Sequence, residues 1–224
     1  MTIYVAPEVA DVIALHPYLS DPEYRASTIR NQLARQAETV FQAHGRRDPR
    51  VRMQLGSWWP GATGLASDAL LDATLMLDDA RLTLAREHGF EDWGDVETRG
   101  DAAPSSAFED ALDAMLAGDA DRLDAALDET PTLVTEVSSF GHQATLLHYI
   151  GANGVESHRQ TVPMNAPELA HLLIAHGAEV NAMATMYGGG QTPFDLASTS
   201  AHPRNAGIAD ALNAALRIDG GNNR

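Results

Sequence analysis

The sequence predicts an all-α protein, a helical solenoid of about three degenerate repeats packed on an N-terminal helical region. Three observations carry that expectation. Apolar residues recur at three- and four-residue spacing through most of the chain, as one face of a helix requires. No sustained period-two alternation announces a sheet, so the only strand-like pieces expected are hairpins near 135–144 and 182–191. In the second half a helix–turn–helix pattern recurs, and units that bury a face only against their neighbours form a solenoid.

Residues 7–19 read as a short helix with Val9, Val12, Ile13 and Leu15 inward, stopped by Pro17. Asp21-Pro22 is a cap and first-turn pair for a helix running to about His44, with Ile29, Leu33, Ala37, Val40 and Phe41 as its stripe and Gly45 as its terminator. Residues 45–66 hold Pro49, Gly56, Pro60, Gly61 and Gly64 and read as irregular. Trp58-Trp59 within them is either a binding feature or a plug between helices, and large aromatics serve more often as buried anchors. Ser67 caps an expected helix over 68–88 that is apolar on most of its girth and therefore central. Gly89 ends it, and Phe90 and Trp93 fold back on it.

The polar, small stretch 97–106 is the best boundary in the chain, giving an N-terminal helical region (1–98), a repeat domain (106–217) and a disordered tail (218–224). Beyond it, Ser106 and Glu109 form a capping box. Phe108, Ala111, Leu112, Met115 and Leu116 follow at helical spacing, and Gly118-Asp119 breaks the helix before Leu123, Ala126 and Leu127 open a second. The pattern returns at Thr145–Gly154, at Glu168–Asn181 and at Gln191–Leu216.

Composition narrows the function. The 224 residues carry a net charge of −16, from 31 acidic and 15 basic side chains, with every basic residue an arginine. Seven arginines against two acids give residues 25–52 a local +5, while residues 101–136 carry a local −9. A phosphate backbone is repelled by such a whole, which argues against nucleic acid as partner. Cysteine is absent, which removes disulfides and thiolate chemistry. No apolar run approaches the roughly 20 residues of a membrane span, and the first residues carry no basic secretory signal, so a soluble cytoplasmic protein without membrane contact is expected.

The repeats resemble the ankyrin family. Thr145-Leu146-Leu147-His148 and Thr192-Pro193-Phe194-Asp195-Leu196-Ala197 look like its Thr-Pro-Leu-His-x-Ala opening, and Leu172-Leu173 with Gly177-Ala178-Glu179-Val180-Asn181 is similar to the end of its unit. The pair at 108–134 is similar to a degenerate first unit. Thr145 to Thr192 is a span of 47 against a family period of about 33. Most of the excess is an insertion, residues 155–165, and insertions in repeats sit on exposed faces, often the binding face. Residues 80–93 are similar to a helical element that precedes ankyrin repeats in some bacterial proteins. The resemblance implies that His148 bonds to backbone between units, and that partners meet the hairpin tips and the exposed side of each first helix. Carried over by position, that surface is Phe140, His142, Ala144, Asn153, Met183, Met186, Tyr187, Gln191 and Thr199.

Chemistry is sparse. Nine histidines are many, yet His171 and His176 are five apart, the wrong spacing for a shared helix face, and no metal site or cofactor is expected. Gly188-Gly189-Gly190 lacks the lysine of a phosphate loop, and no nucleophile motif occurs. Two readings follow: a non-catalytic scaffold binding a protein partner through hairpin tips and a concave face, or a pocket for a small ligand or substrate between the N-terminal helices and the repeats. Trp58, Trp59, His158 and the insertion would build that pocket. The first is favoured on the resemblance, and a deep pocket with convergent polar groups would favour the second.

Overall fold

The computed structural model describes residues 2–217, so the expected 218–224 tail lies outside it. Helices dominate: α1 (Pro7–Leu15), α2 (Pro22–Arg25), α3 (Ile29–Gly45), α4 (Arg52–Trp58), α5 (Leu77–Glu87) and α6 (Trp93–Arg99) make the first half. The second half holds α7 (Ser106–Leu116), α8 (Ala120–Glu129), α9 (Leu146–Tyr149), α10 (Ala166–Ala175), α11 (Pro193–Thr199), α12 (Ala201–Asn205) and α13 (Ala209–Leu216).

Several expected boundaries move, each for a local reason. The helix expected from Asp21 to His44 is two helices. Asp21 caps α2, and Thr28 opens α3 by accepting the Asn31 amide. Gly45 is inside α3, and the left-handed residue is Arg47, at φ 58. Residues 52–58 are helical despite Gly56. The helix expected over 68–88 begins only at Leu77, where Asp79 reaches back to the Met76 amide at 2.8 Å. Before it, His44 Nε2 donates to the Leu70 carbonyl at 2.9 Å, taking the acceptor a helix would use four residues on. The cap of α7 is Ser105 rather than Ser106.

In the first half α5 packs against α3, α4 and α6. Its core gathers Val40, Val51, Leu55, Leu70, Leu84 and Trp59, so Trp59 is a plug. In the second half consecutive helix pairs pack side by side: α7 on α8, α10 against α8 and α13, and α9 against α11. A further cluster joins the halves, because Phe140 is buried with Ile29, Leu33, Ala85, Phe90 and Val96.

Among the described residues the strands are two short antiparallel pairs. β3 (Ala184–Met186) and β4 (Gly189–Gln191) form the expected hairpin, with Tyr187 and Gly188 at its tip. The other pair was not expected: β1 (Ile3–Tyr4) lies on β2 (Val162–Pro163), tying the first residues to the insertion. Residues 135–144 form no ladder. They make a compact loop closed by Ser138 N to Ala144 O at 2.7 Å, and Gly141 lies against Gly89. Two-residue strands carry too little alternation to be read.

Candidate ligand pocket

The two halves meet through buried polar groups, and the insertion is at their centre rather than on an exposed face. Ser157–Arg159 is a single tight turn packed on α1, with Val155, Glu156 and Ser157 buried. A chain of hydrogen bonds fixes it. His16 Nε2 meets Gln54 Oε1 at 3.0 Å, and the Gln54 amide nitrogen donates to Glu87 Oε2 at 2.7 Å. The other Glu87 oxygen accepts the Ser157 amide at 2.9 Å. Glu87 is the last residue of α5 and reaches 70 positions along the chain.

Arg159 follows two residues later and pairs with Glu109, in the first turn of α7. Its other terminal nitrogen, Nη1, lies 3.9 Å from Glu156 Oε1, which accepts the Tyr149 hydroxyl at 3.2 Å. His142 Nε2 stands 3.6 Å from Glu156 Oε2, and His142 Nδ1 accepts the Ala144 amide at 3.1 Å, so the ring is neutral. Burial by itself would raise the Glu156 carboxyl, but the Arg159 guanidinium beside it holds the group well below the ordinary carboxylate range. Burial also opposes the charge on Arg159, yet Glu109 and Glu156 keep it firmly protonated. Burial pushes the His88 and His158 rings down, and Arg159 adds to the effect on His158.

Beside this cluster lies a cavity of about 280 Å³, lined among others by Tyr24, Gln36, His88, Glu109, His158 and Arg159. Four side-chain atoms of these residues are fully buried and have no hydrogen-bond partner: Gln36 Oε1, His88 Nε2, Glu109 Oε1 and Arg159 Nη1. His88 Nδ1 donates to the Leu84 carbonyl at 2.8 Å, so its Nε2 carries a lone pair. Gln36 is oriented by donating to the Tyr24 hydroxyl at 2.8 Å. At the rim Arg25 pairs with Asp110 and Asp113, joining α2 to α7.

Of the residues expected in a pocket, His158 lines this cavity and Trp58 does not. Trp58 stacks on Tyr187, centroids 5.9 Å apart and planes within 8°, between a broad cleft of about 830 Å³ and a smaller one of about 310 Å³. Trp59 is buried in the first-half core. Of the residues expected to face a partner, Phe140, His142, Ala144 and Met186 are buried, so the first finger offers no such surface. The cause is the contact with Gly89, where a Cβ would lie 2.1 Å from the His142 amide. Met183 and Tyr187 are exposed, at 62% and 59%. Thr199 is exposed, and Asn153 and Gln191 are half-buried. Asn153 takes the Tyr187 hydroxyl at 2.6 Å and donates to Thr199.

Sequence reading missed Tyr24, Gln36, His88, Glu109 and Arg159. Glu109 was absorbed by the capping box it does not make, and Arg159 was one charge in an insertion read as surface. A charge pair in a stretch otherwise reading as loop was the available signal. The described residues also contain one trio with metal-ligand spacing, Asp124, Asp128 and His176, all within 4.8 Å. It lies at the surface, and the 2.7 Å pair of His176 with Asp124 accounts for it. Comparison of the chain with family models, with curated proteins and with solved structures returns no match.

Proposed function

We propose that the protein binds a small molecule in the cavity between its N-terminal helices and its second half. One observation carries this: four polar atoms without partners belong to residues lining a single, partly open cavity. Each such atom costs about 1–3 kcal/mol when left unmade, and native proteins tolerate few of them. A ligand that bonds to them recovers that energy. The size suits a compact molecule, since ligand pockets run from about 300 Å³ upward. Thermal-shift screening of a metabolite library, with mass spectrometry of molecules released from the purified protein, tests the reading. Ser20 is exposed and lines the cavity, so Ser20→Trp closes it with little strain. The expected result is a ligand that stabilises the wild type and not Ser20→Trp. Ligands that act equally on both, or none at all, would leave ordered water as the occupant and end the proposal.

A second reading has its own support. Residues 106–217 resemble ankyrin units, and His148 bonds to the carbonyls of Ala182 and Gln191 on the next hairpin at 3.0 and 3.2 Å. Thr192 and Asp195 cap each other at the start of α11, and Gly177 turns at φ +100. On that reading 106–217 is an ankyrin-like stack that offers a protein partner Met183 and Tyr187, neighbours on one exposed hairpin. The double substitution Met183→Ala with Tyr187→Ala then weakens capture of that partner by roughly tenfold or more. Unchanged capture by a folded variant would exclude this surface.

A further inference from the structure

We propose that the molecule held in this cavity is a compact organic cation, a primary ammonium compound that also carries an oxygen acceptor. The inference rests on the cavity being a ligand site and names the chemistry of its occupant.

The charge balance points there first. Three carboxylates are buried around the cavity and the network behind it, Glu87, Glu109 and Glu156, against one guanidinium, Arg159. Glu87 is met by the Gln54 amide and the Ser157 backbone, both neutral. The imidazoles do not supply the missing charge. His142 accepts an amide proton on Nδ1, and His88 keeps a free lone pair on Nε2. The buried cluster therefore holds two negative charges more than positive, and unpaired buried charge is among the most costly arrangements in a protein. An anionic occupant would add to that excess, whereas a cation offsets it.

The unpartnered atoms are of the matching kind. Glu109 Oε1, His88 Nε2 and Gln36 Oε1 are all acceptors, the kind of group that an ammonium N–H donor meets. Tyr24 and Phe140 also line the cavity, and aromatic faces attract cations. Among the residues lining the cavity the one unpartnered donor is Arg159 Nη1, which calls for an oxygen on the ligand. A bare metal ion does not fit. Among the described residues the one trio of His, Asp or Glu side chains within 4.8 Å of one another is Asp124, Asp128 and His176, outside this cavity.

The test uses three probes of similar size on the full chain: ethanolamine, ethylene glycol and glycolate. Each carries a hydroxyl for Arg159, and they differ in presenting an ammonium, a second hydroxyl or a carboxylate. Thermal shift and calorimetry should show saturable binding of ethanolamine at least about tenfold tighter than of the other two, a difference of roughly 1.4 kcal/mol. Sodium chloride at equal concentration should not reproduce the shift. Glu109→Gln, with an unchanged far-ultraviolet spectrum, should weaken ethanolamine by about tenfold or more. If that variant does not fold, Ser20→Trp must abolish the shift instead. Glycol or glycolate binding as well as ethanolamine, a matching salt effect, or no saturable response to ethanolamine would each overturn the proposal. A neutral or anionic probe whose effect Ser20→Trp removes would leave the cavity a ligand site while ending its cationic assignment. Silence from all three probes and from the metabolite library would end both.

Discussion

His148 shows how one buried ring ties stability to pH. Its Nδ1 caps the start of α9 at Thr145, and its Nε2 donates to two carbonyls of the following hairpin. Burial lowers its pKa from 6.5 to about 4, against the opposing pull of those carbonyls. As pH falls through 6.5 the unfolded ring takes a proton that the folded ring refuses until about 4, so stability is lost across that window. The loss from this residue alone is on the order of 3 kcal/mol at the acid end. His16, His88 and His158 are lowered in the same direction, chiefly by burial, and steepen the fall. Urea unfolding from neutrality down to about pH 4 should show the decline, and a flat profile would contradict the buried, neutral assignment. Two glycines give a second test at this scale. Gly89 has φ +77, and a Cβ there would meet the His142 backbone at 2.1 Å. Gly177 has φ +100 with nothing within 4 Å. Gly177→Val should cost about 1–3 kcal/mol through backbone strain alone. Gly89→Ala should cost more, about 3 kcal/mol or above, since it adds a clash between the halves. Urea midpoints that place the two in the reverse order would contradict the junction as described.

The β3–β4 hairpin turns on Tyr187 and Gly188, at φ 53 and 77, the conformation of a type I′ turn. Tyrosine is strained there, and Asn is the residue such turns prefer. Tyr187 repays the strain by stacking on Trp58 and bonding to Asn153. Tyr187→Asn should therefore change global stability by less than about 1 kcal/mol, strain relieved against stacking lost. It should also erase the near-ultraviolet circular dichroism of the stacked pair; a retained signal would mean that the rings do not meet in solution. This hairpin also marks what was legible in the sequence. The chain between Met183 and Gln191 announced itself by its glycines, and α7, α8, α10 and α11 by capping residues and apolar spacing, because those signals are local. The start of α5 was not legible, since no glycine or proline separates 68–76 from 77–87. Capture of the Leu70 carbonyl by His44, distant in sequence, decides that boundary. The cavity was legible only through His158 and the insertion. Its other walls come from α2, α3, α5 and α7, and periodicity carries no information on which helix ends will meet.

At the scale of the whole molecule, the stretch 97–106 reads as a linker, yet the halves it joins are held by groups neither can satisfy alone. Ile29 and Arg30 donate their amides to Ala102 and Gly100, fastening the connecting chain to the start of α3 at 2.9 Å each. Phe140 completes an apolar cluster of the first half, and β1 at the start of the chain pairs with β2 in the insertion. Glu87 serves Gln54 on one side and Ser157 on the other. Removing its carboxylate leaves two buried donors unpaired, at about 1–3 kcal/mol each. Glu87→Ala should thus destabilise the protein by roughly 3 kcal/mol, and Glu87→Gln by less, since the amide oxygen still accepts one of the two bonds. The same reasoning predicts one cooperative unfolding transition for the whole chain. A fragment of residues 100–217 would expose Phe140, Glu156 and Ser157 to water and lose the partner of the Gly141 loop. It should show helical circular dichroism without a sharp melt, because local helix signals survive while the packing that makes them cooperative does not. A fragment melting cooperatively near the full chain's Tm would mean that the junction is a docking contact between independent domains. The cavity would then open and close with their separation instead of being built into a single core.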